Sequence, residues 1–185
     1  MNRPIRHVVR SQAFDRLTLD QIFDRADFFR QELDEDPLRP FGELYAKRRC
    51  FSFFEEESTR TRNSFEAAAW ELGIHCISTA NARYSSSLPK GESIEDTIRT
   101  LCMLRPSFII FRHEEDKAAL RAAAVSHVPI ISGGDGRHQH PTQSLTDLLT
   151  IRRELGRIDD LTVAFCGDLA NGRTVRSDAY QLLNA

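Results

Sequence analysis

No run of eighteen apolar residues occurs in these 185 residues, and the arginine-bearing stretch Met1 to Arg10 leads into no apolar segment. Neither a membrane span nor an export signal is therefore expected. An excess of one charge is missing too: 25 Lys and Arg against 27 Asp and Glu leave a net charge of -2. With no broad field to hold a nucleic-acid backbone or an anionic membrane, any anion site must be local. Cysteine is scarce. Cys50, Cys76, Cys102 and Cys166 are far apart, form no C-x-x-C pair, and three of them fall in apolar runs. That usage fits reduced, buried thiols in a cytoplasmic protein and offers no metal cluster. Fixed-period repeats and low-complexity segments are lacking apart from Ser85, Ser86 and Ser87. What remains is an ordinary globular composition, 41% hydrophobic and 28% charged, in a chain long enough to complete one core and begin another, since single domains run to roughly 100 to 150 residues.

Hydrophobic spacing then sets out the elements. Leu19, Ile22, Phe23, Ala26, Phe29 and Leu33 share a helical face, with Thr18 and Gln21 in capping-box positions. Two prolines and four charges between Asp34 and Gly42 mark a turn, and Glu43 to Arg48 fits a short helix. From Cys50 onward strand and helix patterns alternate. Strands are expected at Cys50 to Phe54, Ile74 to Ser78, Phe108 to Phe111 and Val128 to Ile131, and helices at Ser64 to Leu72, Ser93 to Leu104, Lys117 to Val125 and Thr142 to Leu155. Repeated βα units imply an α/β fold, a parallel sheet flanked by helices. A further strand over Leu161 to Cys166 and a helix over Thr174 to Leu183 would be the first βα unit of a second α/β domain. The expected division is residues 1-152 for the first domain and 153-185 for the start of an incomplete second one.

Ser58, Thr59, Arg60, Thr61 and Arg62 lie between a strand end and a helix start. Outward-facing amides, hydroxyls and guanidinium forks at such a turn suit a phosphate dianion. A lone Ser-Thr-Arg is more often a plain helix cap, but two arginines and three hydroxyls in five residues reverse that preference. Arg112 and His113 follow another strand, and His140, Pro141, Thr142 and Gln143 open a helix after the loop of Gly133, Gly134, Asp135 and Gly136. Taken singly, Arg112 reads as a surface charge and His140 as a cap. Placed together at one edge of a parallel sheet, where ligands collect, they read as a site.

Glu55 to Thr61 after Phe54 resembles the F-x-E-x-S-T-R-T motif of the aspartate and ornithine transcarbamoylases, and His140 to Gln143 is similar to their H-P-x-Q motif. The likeness continues in the family's order through Lys90 to Ser93, Arg112-His113, Gly134 to Gly136, Gly167 to Leu169 and Gly172 to Thr174. It implies a carbamoyl-phosphate domain in which Ser58, Thr59, Arg60 and Thr61 hold the phosphate and Arg112, His140 and Gln143 surround the carbamoyl group. Thr61, Arg112 and His140 would be the catalytic donors to the carbamoyl oxygen. The resemblance further implies that Ser86 and Lys90 enter the site of a neighbouring subunit in a homotrimer. Lys90 and Arg173 would contact aspartate, and no cofactor or metal would be needed. Glu56 and Thr142 favour aspartate over ornithine as the amine. The implied reaction carbamoylates L-aspartate for pyrimidine synthesis, with a regulatory chain or a dihydroorotase as possible partners, and no nucleic acid or membrane. The competing readings are an ornithine-type or other transcarbamoylase, or a non-catalytic carbamoyl-phosphate-binding or trimer-scaffold module.

Overall fold

The computed structural model describes residues 6–36, 41, 45–82 and 91–184. The chain begins with a 3-10 turn, Ser11–Ala13, and then α1, Arg16–Glu35. Asp15 caps α1, its carboxylate accepting from the Thr18 amide at 2.9 Å. The capping box expected at Thr18 and Gln21 is thus corrected: the helix starts earlier, because Asp15 supplies a charged acceptor for the orphan amides. Of the helix expected over 43–48, residues 43 and 44 lie outside the described residues and Tyr45, Ala46 and Lys47 form a turn.

The body follows as β1 Arg49–Phe54, α2 Arg60–Glu71, β2 His75–Thr79, α3 Ile94–Met103, β3 Phe108–His113, α4 Ala118–Val125, β4 Ile130–Asp135 and α5 Pro141–Leu155. Every strand pair is parallel, in the spatial order β2-β1-β3-β4. The parallel α/β fold read from the sequence is the one the chain adopts. Strand alternation divides the core between the two faces of the sheet. Phe51, Phe53, Ile109 and Phe111 point to the side packed with Ile94, Ile98, Ala118 and Ala122 of α3 and α4. Cys50, Phe54 and Ile110 point to the side packed with Ala69 of α2. A third cluster seats Leu19 and Phe23 of α1 on Leu148 of α5, with Phe14 and Ile158.

Several boundaries differ from the sequence reading: α2 begins at Arg60 rather than Ser64, and β4 begins at Ile130 rather than Val128. β3 and β4 run past their apolar cores, because His113 and Asp135 still pair across the ladder after a register shift. Gly133, Gly134 and Asp135, expected in a loop, therefore end a strand. The larger correction concerns Leu161 to Cys166, expected to be a strand. No ladder forms there; Val163 is 39% exposed and Cys166 is exposed. An isolated apolar stretch has no backbone partners with which to become a strand. The helix after it does form as α6, Arg173–Asn184. α6 docks on the start of α5, where buried Gln181 donates to the Pro141 carbonyl at 3.3 Å. No helix among the described residues is long and apolar enough to cross a membrane.

Candidate active site

The strand order fixes where a ligand can sit. The chain leaves β1 through α2 to β2 on one side, then crosses to β3 on the other, so the connections diverge between β1 and β3. A crevice opens at the carboxyl ends of strands at such a switch point. Side chains from both loops meet there. Glu55 Oε2, after β1, lies 2.8 Å from His113 Nε2 at the end of β3, and Glu56 Oε1 accepts from Arg112 Nη2 at 2.6 Å.

Ser58 and Thr59 form the turn into α2, and Arg60 and Thr61 begin the helix. Thr59 makes no side-chain capping bond, so first-turn amides of α2 keep their donor capacity. Arg60, Thr61, His140, Thr142, Gln143 and Arg173 line one cleft of about 810 Å³. Ser58, Thr59 and Arg112 are not among its lining residues. Arg112 forms part of the supporting wall, only 8% exposed, with Nη1 donating to the Gly133 carbonyl at 3.2 Å. Its Nε is buried without a partner. Gly133 sits between these groups: a β-carbon there would lie 3.1 Å from the Phe54 ring and 3.5 Å from the Thr61 methyl. Gly134 is held more tightly still. Its φ is +105°, and a β-carbon would lie 3.0 Å from the His140 ring and 3.2 Å from the Arg173 guanidinium, so a side chain would strain the backbone and part the two groups.

His140 is 6% exposed and caps α5. Its Nδ1 accepts from the Gln143 amide at 3.3 Å, which leaves the ring proton on Nε2 in the neutral tautomer. Burial, then the charges of Arg112 and Arg173, push its pKa down to about 4. At neutral pH the imidazole is therefore an uncharged donor. Thr142 Oγ1 donates to the Ser132 carbonyl at 3.2 Å, and Gln143 Nε2 donates to Asp147 Oδ1 at 3.1 Å. The first bond ties the start of α5 to β4, and the second lies within α5.

Arg173, at the start of α6, donates from Nη1 to Glu56 Oε2 and from Nη2 to Glu56 Oε1, both at 2.9 Å, and also to the Gly136 carbonyl at 3.0 Å. Glu56 thus joins two arginines. Burial alone would raise its pKa, but the hydrogen bonds from Arg173 and Arg112 outweigh that and leave it lowered. Arg173 also lines a second cleft of about 800 Å³ with Glu56, Glu114, Glu115, Asp116 and Arg137. Arg173 therefore stands between two openings, with Glu56 partly cancelling its charge and that of Arg112.

Two contributors were not anticipated. Glu56, which by the resemblance points to aspartate as the amine, is here the counter-charge between Arg112 and Arg173. Ser177 Oγ accepts from the His140 amide at 2.8 Å and donates to the Arg173 carbonyl at 3.0 Å. It lies four residues after Arg173, on the same helical face. Ser86 and Lys90 lie outside the described residues.

A family model described as "Aspartate/ornithine carbamoyltransferase, carbamoyl-P binding domain" matches residues 6–153. The chain is 46% identical over 175 residues to aspartate carbamoyltransferase 3, chloroplastic, of Pisum sativum, covering 95% of this chain and 44% of that one. It is 42% identical over 165 residues to the aspartate carbamoyltransferase catalytic subunit of Chlorobaculum tepidum, covering 89% and 53%. Among solved structures, aspartate transcarbamoylase from Trypanosoma cruzi in complex with carbamoyl phosphate superposes with a TM-score of 0.89 at 34% identity, covering 97% of this chain and 54% of that one. The chain spans about half the length of the relatives it matches.

Proposed function

The chain belongs to the aspartate/ornithine carbamoyltransferase family, and from that premise we propose that it binds carbamoyl phosphate and serves the transfer of the carbamoyl group to the amine of L-aspartate. The products are N-carbamoyl-L-aspartate and phosphate. The observation that carries this reading is the common cleft of Arg60, Thr61, His140, Gln143 and Arg173, with Arg112 bonded to Glu56 and Gly133 beside it.

In this reading the α2 amides, Ser58, Thr59, Arg60 and Thr61 hold the phosphate, because donors at a helix start match a dianion. The amine attacks the carbamoyl carbon and negative charge grows on its oxygen. Thr61, Arg112 and neutral His140 donate to that oxygen, and Gln143 orients the carbamoyl amide. Phosphate leaves and takes the proton released by the amine. Arg173 receives a carboxylate of aspartate, which exchanges with Glu56 for its guanidinium. Support comes from Arg173 facing both clefts.

The same proposal places the carbamoyl-phosphate domain at 1-152 and the beginning of the aspartate domain at 153-185. It assigns the protein to the cytoplasm and to pyrimidine synthesis. Family resemblance is the support for a homotrimer in which Ser86 and Lys90 complete the neighbouring site, and for association with a regulatory chain or a dihydroorotase. Titrating carbamoyl phosphate while measuring aspartate-dependent phosphate release tests the reading. Release with aspartate and not with ornithine is expected. Binding without release under either amine favours the scaffold module, and release with ornithine favours the ornithine-type enzyme.

A further inference from the structure

Cys50 and Cys76 are opposite partners in the parallel ladder between β1 and β2. Residues so paired project to one face of the sheet, and both pack in the cluster beneath α2. Adjacent strands lie about 4.8 Å apart, inside the Cα separation of about 4.4–6.8 Å that a disulfide requires. The two differ in access: Cys50 is buried, whereas Cys76 is half-buried on β2, an edge strand. Cys76 also opens into a cleft of about 450 Å³ lined with Glu66, Trp70, His75 and Ser78. The two thiols face each other across the ladder. The neighbouring Cys50 thiol lowers the pKa of Cys76, whereas Cys76 and burial raise that of Cys50. Cys76 is thus the sulfur that ionises first, although Glu66 opposes ionisation of both.

From the register of this pair and its one-sided access, we propose that Cys50 and Cys76 are a peroxide-driven, reversible disulfide site, separate from the anion cleft. The Cys76 thiolate attacks hydrogen peroxide. A sulfur–oxygen bond forms, the oxygen–oxygen bond breaks, and the released hydroxide takes a proton to become water. Cys50 then attacks the sulfur of the resulting sulfenic acid. A sulfur–sulfur bond forms, and the departing hydroxide leaves with the Cys50 proton as a second water. Two thiols lose two electrons and one peroxide is reduced to two waters. The bridge would close the loop from Cys50 to Cys76, which carries Ser58 to Arg62 and the whole of α2. Cys102 has no comparable role, being buried against Ser126 Oγ at 3.3 Å. Cys166 is exposed and would pair between molecules.

The test uses the full chain carrying Cys166→Ser, exposed to hydrogen peroxide and analysed by intact mass and non-reducing peptide mapping. The expected result is a mass lower by about 2 Da, one peptide pair joined through Cys50 and Cys76, and recovery of both thiols with dithiothreitol. Cys76→Ser, at the half-exposed edge, is expected to abolish the joined peptides. Cys50→Ala is expected to leave a dimedone-reactive sulfenic acid on Cys76. The proposal is overturned if both thiols stay alkylatable at a peroxide dose that oxidises Cys166 in the unsubstituted chain. It is equally overturned if Cys76 proceeds to sulfinic acid while Cys50 remains free.

Discussion

Phe108 to Phe111 and Leu161 to Cys166 both read as strands in the sequence, yet only the first becomes one. In β3, Ile109 is 0% and Ile110 and Phe111 are each 1% exposed, and the strand pairs with β1 and β4. In the later segment Val163 is 39% exposed and no ladder forms among the described residues. Apolar patterning specifies a strand only where neighbouring backbones satisfy its amides and a helix covers its face. β3 meets both conditions, and its end is where Arg112 and His113 are held.

The sharpest way to break that comparison is truncation. Phe111→Ala is expected to cost about 3–5 kcal/mol, as for other fully buried aromatics, whereas Val163→Ala should change stability by less than about 0.5 kcal/mol. Urea unfolding of both variants measures the difference. Equal losses would mean that the later segment is packed as well as β3.

The next test concerns the link between the two regions. Glu56, 32% exposed, binds Arg112 from β3 and Arg173 from α6. Glu56→Gln removes the counter-charge from a partly buried pair and is expected to cost about 1–2 kcal/mol, less than a fully buried pair because solvent screens it. Hydrogen exchange should then quicken across α6 while β3 stays protected. Uniform exchange in both elements would refute the link.

A smaller effect separates the regions by pH. His140, pushed down to about 4 by burial and the neighbouring arginines, is neutral in the fold, while the unfolded chain binds a proton near 6.5. Its stabilising contribution is full above pH 6.5 and is lost as pH falls through 4. Asp178 on α6 is pushed up to about 6, first by burial and also by Asp147. The fold keeps its proton, so its contribution is present below about 3.8 and is lost as pH rises through 6. The two trends oppose each other between pH 6 and 4. Asp178→Asn should therefore raise Tm at pH 7 and uncover a steady fall between pH 6.5 and 4. A flat Tm in that variant would contradict the assignment to His140. The smallest effect belongs to the surface. Arg99 and Asp96, 59% and 62% exposed at 2.8 Å, should contribute less than about 0.5 kcal/mol by a double-mutant cycle.

The sheet and its helices were legible because Phe51, Phe53, Ile109 and Phe111 alternate as strands do, and Ile94, Ile98 and Cys102 repeat as helices do. The loop residues at strand ends were legible through hydroxyls, arginines and a histidine gathered at helix starts. What escaped was long-range. Glu56 meets Arg112 and Arg173 across separations of 56 and 117 residues, and no local pattern announces such a triad. Gly133 and Gly134 look like loop residues in isolation, but the parallel ladder to β3 carries them as strand. Asp15 caps α1 although Thr18 offers a rival hydroxyl one turn later. The 161–166 stretch has a strand's pattern without becoming one, because local patterning says nothing about the partners a strand needs.

Carbamoyl-phosphate binding, followed by calorimetry on the wild-type chain and on folded Arg60→Ala and His140→Ala variants, tests the shared cleft most directly. Saturable binding by the wild type is the predicted result, weakened about 10-fold or more in Arg60→Ala, where a charged hydrogen bond worth about 1.5–3 kcal/mol is lost, and by about 2- to 10-fold in His140→Ala, where a neutral one worth about 0.5–1.5 kcal/mol is lost. Wild-type affinity in both variants would contradict it.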